Sequence, residues 1–86
     1  MTAFRHTIAG RRYTVRLVSL GGVTDRTAGQ IDLDPVRSQR QLLEYAIHEA
    51  LHASNWPATE GRVERTAGDV AGLLWKLGFR RVTKGR

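Results

Sequence analysis

The chain has 86 residues, room for one domain with a thin core, since a domain this small buries only about 60% of the surface its unfolded chain exposes. It has no cysteine, which excludes a disulfide framework, iron–sulfur ligation, thiolate zinc sites and a cysteine nucleophile. With 41% hydrophobic and 26% charged residues the composition is globular rather than disordered, and 14 Lys+Arg against 8 Asp+Glu leave a formal charge of +6 that favours acidic partners, nucleic acid among them.

Taken in chain order, Phe4–Ile8 and Tyr13–Leu20 are rich in β-branched and aromatic residues. The second run alternates, with Tyr13, Val15 and Leu17 on one face and Thr14, Arg16 and Val18 on the other, and the short Ala9-Gly10-Arg11-Arg12 segment between the runs predicts a β-hairpin. Gly21-Gly22 ends the second strand, Val23–Ala28 reads as a polar loop, and Gln30-Ile31-Asp32-Leu33 alternates as a third, short strand. A helix follows, entered either at Asp34-Pro35, with Asp34 as N-cap, or near Ser38. Leu43, Ala46, Ile47, Ala50 and Leu51 define its apolar face, and Asn55-Trp56-Pro57 stops it. Thr59 caps a second helix with Glu60 in its first turn. Its buried stripe is Val63, Ala67, Val70, Ala71, Leu74 and Leu77, and Gly78 terminates it. A basic tail runs from Phe79 to Arg86, with room for one more strand at Phe79–Val82. The expected architecture is α+β: a small antiparallel sheet of three to four strands packed on two helices, one domain over residues 1–86. No apolar run approaches the ~20 residues of a membrane span and Met1-Thr2-Ala3-Phe4-Arg5 lacks a signal-peptide core, so a cytoplasmic chain without membrane association is expected.

The residues that carry chemistry are His48-Glu49-Ala50-Leu51-His52. Two histidines four apart on a helix lie on one face about a turn apart, where their imidazoles can hold a single Zn²⁺. The glutamate between them sits beside the metal without binding it, placed to take a proton from a water whose pKa the metal has lowered toward ~7. Gln41, Glu44, Tyr45, His48, Glu49 and His52 share the polar side of the same helix, while Leu43, Ile47, Ala50 and Leu51 face away.

A catalytic zinc takes three protein ligands, so a third is needed. The extended metzincin pattern requires Gly at position 55 and His at 58, and here these are Asn55 and Ala58. A cysteine ligand is excluded, and His6, the remaining histidine, sits in the first strand. That leaves a carboxylate of the second helix, Glu60 or Glu64. Glu64 opens a Glu-x-x-Ala segment (Glu64-Arg65-Thr66-Ala67) at the border of the buried stripe, whereas Glu60 lies in the first turn, where helices fray. Helix position favours Glu64.

Together the strands, the glycine-led Gly29–Leu33 segment, the His-Glu-x-x-His helix and the Glu-x-x-Ala helix resemble the compact zincin-like metallopeptidases, in particular the ImmA/IrrE-like group and its small phage and prophage relatives. The resemblance spans roughly residues 13–79. It implies a minimal zincin-like fold of gluzincin type, with Zn²⁺ held by His48, His52 and Glu64, Glu49 as general base, and a peptide or protein as substrate. It also implies that the strand before the active helix, Gln30–Leu33, lines the substrate cleft.

The expected function is therefore zinc-dependent hydrolysis of peptide bonds, with Glu49 activating the metal's water. Two alternatives stand beside it: a non-catalytic binding protein stabilised by its zinc, and a basic nucleic-acid-associated module. Other polar residues have simpler readings. Strand alternation and helix capping account for Asp32 and Asp34 better than a paired-carboxylate site does; packing is favoured for Tyr45 over steadying a ligand or oxyanion, and for Trp56 and Trp75 over lining a pocket; a solvated tail is favoured for Arg80, Arg81, Lys84 and Arg86 over a nucleic-acid contact.

Overall fold

A computed structural model describes residues 2–19, 21–35 and 38–82. Its elements are β1 (Thr2–Ile8), β2 (Arg11–Leu17), β3 (Val23–Asp25), β4 (Gln30–Leu33), α1 (Gln39–Ala53) and α2 (Glu60–Lys76). The α+β layout of a four-stranded sheet and two helices is as the sequence leads one to expect. Among the described residues no helix is long and apolar enough to cross a membrane.

β1 and β2 form the expected hairpin, antiparallel from Ile8↔Arg11 to Thr2↔Leu17. The turn is tighter than the sequence implies: Ala9 (φ 51°) and Gly10 (φ 80°) alone make it, both left-handed as a two-residue turn on twisted strands demands, and Arg11 and Arg12 already belong to β2. Of the predicted second strand, the ladder ends at Leu17, and Leu20 lies outside the described residues.

The sheet order is β1-β2-β4-β3, and it is mixed. β1–β2 and β3–β4 are antiparallel, but β4 runs parallel to β2 from Thr14↔Gln30 to Leu17↔Leu33. The cause is β3. The segment 23–28, expected as a loop, contributes a three-residue strand at the far edge, so the chain reverses twice before β4 inserts beside β2. The reversal is fastened locally: Asp25 Oδ1 accepts from Ala28 N at 3.0 Å, and Thr14 N donates to Gly29 O at 2.8 Å. Gly21 matters for a different reason. A Cβ there would stand 2.6 Å from the backbone carbon of Leu33, so only glycine lets the chain pass this close to the end of β4.

One sheet face carries Tyr13, Val15, Ile31 and Leu33, all buried, and α1 lies on it through Leu42 and Ala53 with Tyr45 and Ala46 packed alongside. This corrects the expected face of α1: Leu43, Ile47, Ala50 and Leu51 are only half-buried, and the fully buried positions are Leu42, Glu49 and Ala53. The Tyr13 hydroxyl donates to Ala53 O at 2.9 Å and pins the C-terminal end of α1 to β2. Ser38, not Asp34, is the N-cap of α1, with a reciprocal capping box to Gln41, and Asp34 is buried ahead of the helix.

α2 packs chiefly on α1 through Val63, Ala67 and Ala71, while Val70 and Leu77 of the expected stripe are exposed. Both helices end in Schellman turns. Asn55 (φ 60°) and Gly78 (φ 96°) supply the left-handed residue, donating to His52 O and Trp75 O, and the next residue of each closes onto Leu51 O or Leu74 O. Residues 79–82 form no strand; Arg81 N instead donates to Gln39 Oε1 at 3.2 Å.

Candidate metal centre and cleft

His48 and His52 project from the last turns of α1, one turn apart, with ring centroids 4.8 Å apart. The connection to α2 is short, residues 54–59. Thr59 caps α2 by accepting from Arg62 N at 3.2 Å, which sets Glu60 at the first helical position directly beside the histidines. The two Nε2 atoms are 3.1 Å apart; His48 Nε2 is 3.0 Å from Glu60 Oε2, and His52 Nε2 is 3.0 Å from Glu60 Oε1. Among the described residues, these three side chains are the His/Asp/Glu group whose donor atoms converge within 4.8 Å.

The expected set is His48, His52 and Glu64; the carboxylate that the structure brings to the two histidines is Glu60. α2 runs back along α1: Gly68 lies beside Glu44, and Gly72 beside Arg40. Each turn of α2 after the first therefore recedes from the histidine end of α1. Glu64 is one turn too far along, next to the buried Val63 but itself exposed. A wheel diagram gives the direction of a side chain and not its height along the neighbouring helix.

The donor set suits a divalent metal. Two imidazoles and a carboxylate are ordinary zinc ligands, and bonds of about 2.0–2.1 Å in tetrahedral array separate donors by about 3.3 Å, close to the separations found here. His48 is largely shielded, with 15% of its side chain exposed, whereas Glu60 is 66% exposed. The group thus sits at a cleft wall with one side open.

Glu49 shares the cleft but not the triad. It is 5% exposed, and its Oε1 accepts from Thr24 Oγ1 at 2.6 Å, with the carbonyl of Glu49 3.1 Å from the same hydroxyl. Thr24 is the central residue of β3, so the edge strand hidden in the apparent loop is what holds the glutamate. The cleft, about 480 Å³, lies between β3, the end of α1 and the start of α2. Gly22, Thr24, Arg26, Asn55 and Trp56 line it along with the histidines and the two glutamates. The strand expected to line it, Gln30–Leu33, is paired on both sides and lies inside the sheet, so the lining strand is β3. Sequence reading misses Thr24 and Arg26; the Val-Thr-Asp alternation before a turn closed by Asp25 is the faint signal for them.

Apart from Trp56, the remaining candidates lie elsewhere. His6 is exposed on β1, opposite Tyr13. Asp32 is on the outer face of the sheet, where the Arg16 guanidinium grips it through two contacts of 2.9 Å and holds its carboxyl below the usual range. Tyr45 packs on the core. Trp75 carries the Arg80 guanidinium 3.3 Å from its ring centre, and Trp56 lines the cleft. Arg81 is exposed, and Lys84 and Arg86 lie outside the described residues. No protein-family model, curated protein or solved structure matches this chain.

Proposed function

We propose that this chain is a zincin-like zinc metallopeptidase, with His48, His52 and Glu60 as metal ligands and Glu49 as general base. The observation that carries the reading is the division of labour within His48–His52: the two histidines converge on Glu60, while the glutamate between them is held apart by Thr24 in the same cleft. A zinc ion bound there would supply Lewis acidity, polarising a carbonyl and making water acidic enough to ionise near neutral pH.

The protein's own residues do the rest. With Oε1 of Glu49 occupied by the Thr24 hydroxyl, Oε2 is the atom that takes a proton from the attacking water. As the C–N bond breaks, the same oxygen returns that proton to the departing amine nitrogen, restoring Glu49; the acid product's remaining proton passes to the amine, so the products leave as a carboxylate and an ammonium. Burial under β3 keeps the carboxylate from sampling other orientations, which is the positional requirement for general-base catalysis.

The experiment is metal analysis of protein purified without added metal, paired with a peptide-hydrolysis assay of the parent chain and Glu49→Gln. About one zinc per chain in both, with hydrolysis only in the parent, supports the proposal. Zinc in both and hydrolysis in neither favours a second reading, a metal that staples α1 to α2; the ligands' origin on two different helices favours that role.

A further inference from the structure

The cleft carries a charge that neither metal binding nor proton transfer uses. Arg26 begins the 26–29 turn that follows β3, is exposed, and lines the cleft from its rim; no hydrogen bond or ion pair with another described residue engages its guanidinium. The carboxylates lining the cleft are Glu49 and Glu60, whose two charges a bound divalent ion would offset, leaving Arg26 uncompensated. A second guanidinium flanks another wall, where Arg62 sits 5.5 Å from the ring centre of Trp56. The lining is mainly polar, unlike the apolar groove formed by Phe4, Leu17, Leu42, Trp75 and Phe79. The whole chain, at +6, adds a field of the same sign.

We infer that the cleft selects acidic peptide segments, with Arg26 pairing a substrate carboxylate beside the scissile bond. The inference rests on the peptidase reading and adds the substrate class to it. Arginine suits the task because its planar fork grips a carboxylate through two parallel hydrogen bonds, which a lysine cannot reproduce. An apolar or basic segment gains nothing from the guanidinium, and a basic one is repelled by it.

The test uses zinc-loaded Glu49→Gln protein, which binds without turnover, and alanine–glycine decapeptides with a single central Asp, Asn or Lys. Fluorescence anisotropy should give about tenfold tighter binding of the Asp peptide than the Asn peptide, with the Lys peptide weakest. The gap should narrow at high salt. Arg26→Gln should bring the Asp and Asn peptides to equal affinity without changing zinc content, and Arg26→Lys should recover part of the preference. Equal affinities in the protein that retains Arg26, or an Asp preference that survives Arg26→Gln, overturns the assignment while leaving the peptidase reading in place. Failure of every peptide to bind overturns both. The kcat/KM ratio for Asp and Asn peptides on the parent chain gives a second reading that does not depend on the Glu49 variant.

Discussion

The Thr24 hydroxyl stands 2.6 Å from Oε1 of Glu49, joining the central residue of the edge strand to the residue that follows the first histidine of the His-Glu-x-x-His segment. A buried carboxylate with one such partner is fixed in direction, and the proposed mechanism makes its second oxygen the base. Thr24→Val keeps the shape and removes the donor. It should lower kcat about tenfold or more with KM little changed, because the proton acceptor loses its alignment rather than the substrate its contacts. Zinc content should be unaffected and Thr24→Ser should restore most of the rate. A Val variant as fast as the parent, or a Ser variant no better than Val, would show that the hydroxyl merely fills space.

The ligand set is tested by two isosteric changes one turn apart. Glu60→Gln replaces an anionic oxygen beside both imidazoles and should weaken zinc binding well over tenfold, while Glu64→Gln, exposed and outside the converging group, should leave it within about twofold. His48→Ala and His52→Ala should each remove the metal. Equilibrium dialysis against a zinc buffer reads all four. A Glu64→Gln protein that loses its zinc would restore the helix-wheel assignment.

Much of this arrangement is legible in the sequence because it is local. The histidine spacing depends only on the helix repeat, the Thr59 cap and Gly78 stop on a single turn each, and the alternation of Tyr13, Val15 and Leu17 on one strand. What escapes is set by distant pairing. Val23–Asp25 is three residues long with exposed ends, too short for alternation to announce a strand, and it becomes one because β4 offers an edge. The parallel register of β2 and β4 follows from that insertion and leaves no mark in either strand. Glu60 and Glu64 differ in height along α1, a quantity fixed by how two helices pack. Ser38 wins the cap over Asp34 through its reciprocal bonds with Gln41, a pattern that was present in the sequence as Ser-x-x-Gln.

Asp32 gives the chain an acid-sensitive contact outside the cleft. Its carboxyl is held below the ordinary value, first by the hydrogen bonds from Arg16, so its folded pKa lies below its unfolded one. The resulting stability is present above about pH 4, the unfolded value, and is lost as pH falls through the folded pKa. Thermal melts of the parent and Asp32→Asn should therefore differ most near pH 6 and converge toward pH 2. Because Arg16 is 35% exposed, added salt should shrink the difference at pH 6. A gap of constant size across this range would mean that the carboxylate charge contributes nothing.

Gly21 predicts a steric effect with a functional echo. Its missing Cβ allows the approach to Leu33, and Gly22 N then donates to Asp32 O at 2.6 Å, which leads the chain into β3. Gly21→Ala must push backbone against backbone and should destabilise the fold by about 1–3 kcal/mol in urea titrations. Because β3 carries Thr24, activity should fall further than the unfolded fraction explains. Gly61→Ala is the control: a Cβ there meets nothing within 4 Å, and it lies in a helix, so it should stabilise by roughly 0.5–1 kcal/mol.

Metal removal separates a staple from a purely catalytic ion. The proposed ligands come from α1 and from the first turn of α2, and α2 is otherwise held mainly by Val63, Ala67 and Ala71 against α1. An ion that binds only the folded state stabilises it by mass action, about 4 kcal/mol at free metal a thousandfold above its dissociation constant. For a domain of this length each kcal/mol moves the melting midpoint by roughly 4–8 °C. A chelator should thus lower the midpoint of the parent by more than 10 °C, and readdition of zinc should restore it. Glu60→Gln should melt near the chelated parent and respond little to chelator, since its site is already impaired. Glu49→Gln, whose altered residue touches Thr24 and not the converging donors, should keep the full chelator response. If the parent's midpoint is unchanged after its zinc has been shown to be gone, the helices hold together through their apolar seam alone, and the ion has no share in the fold.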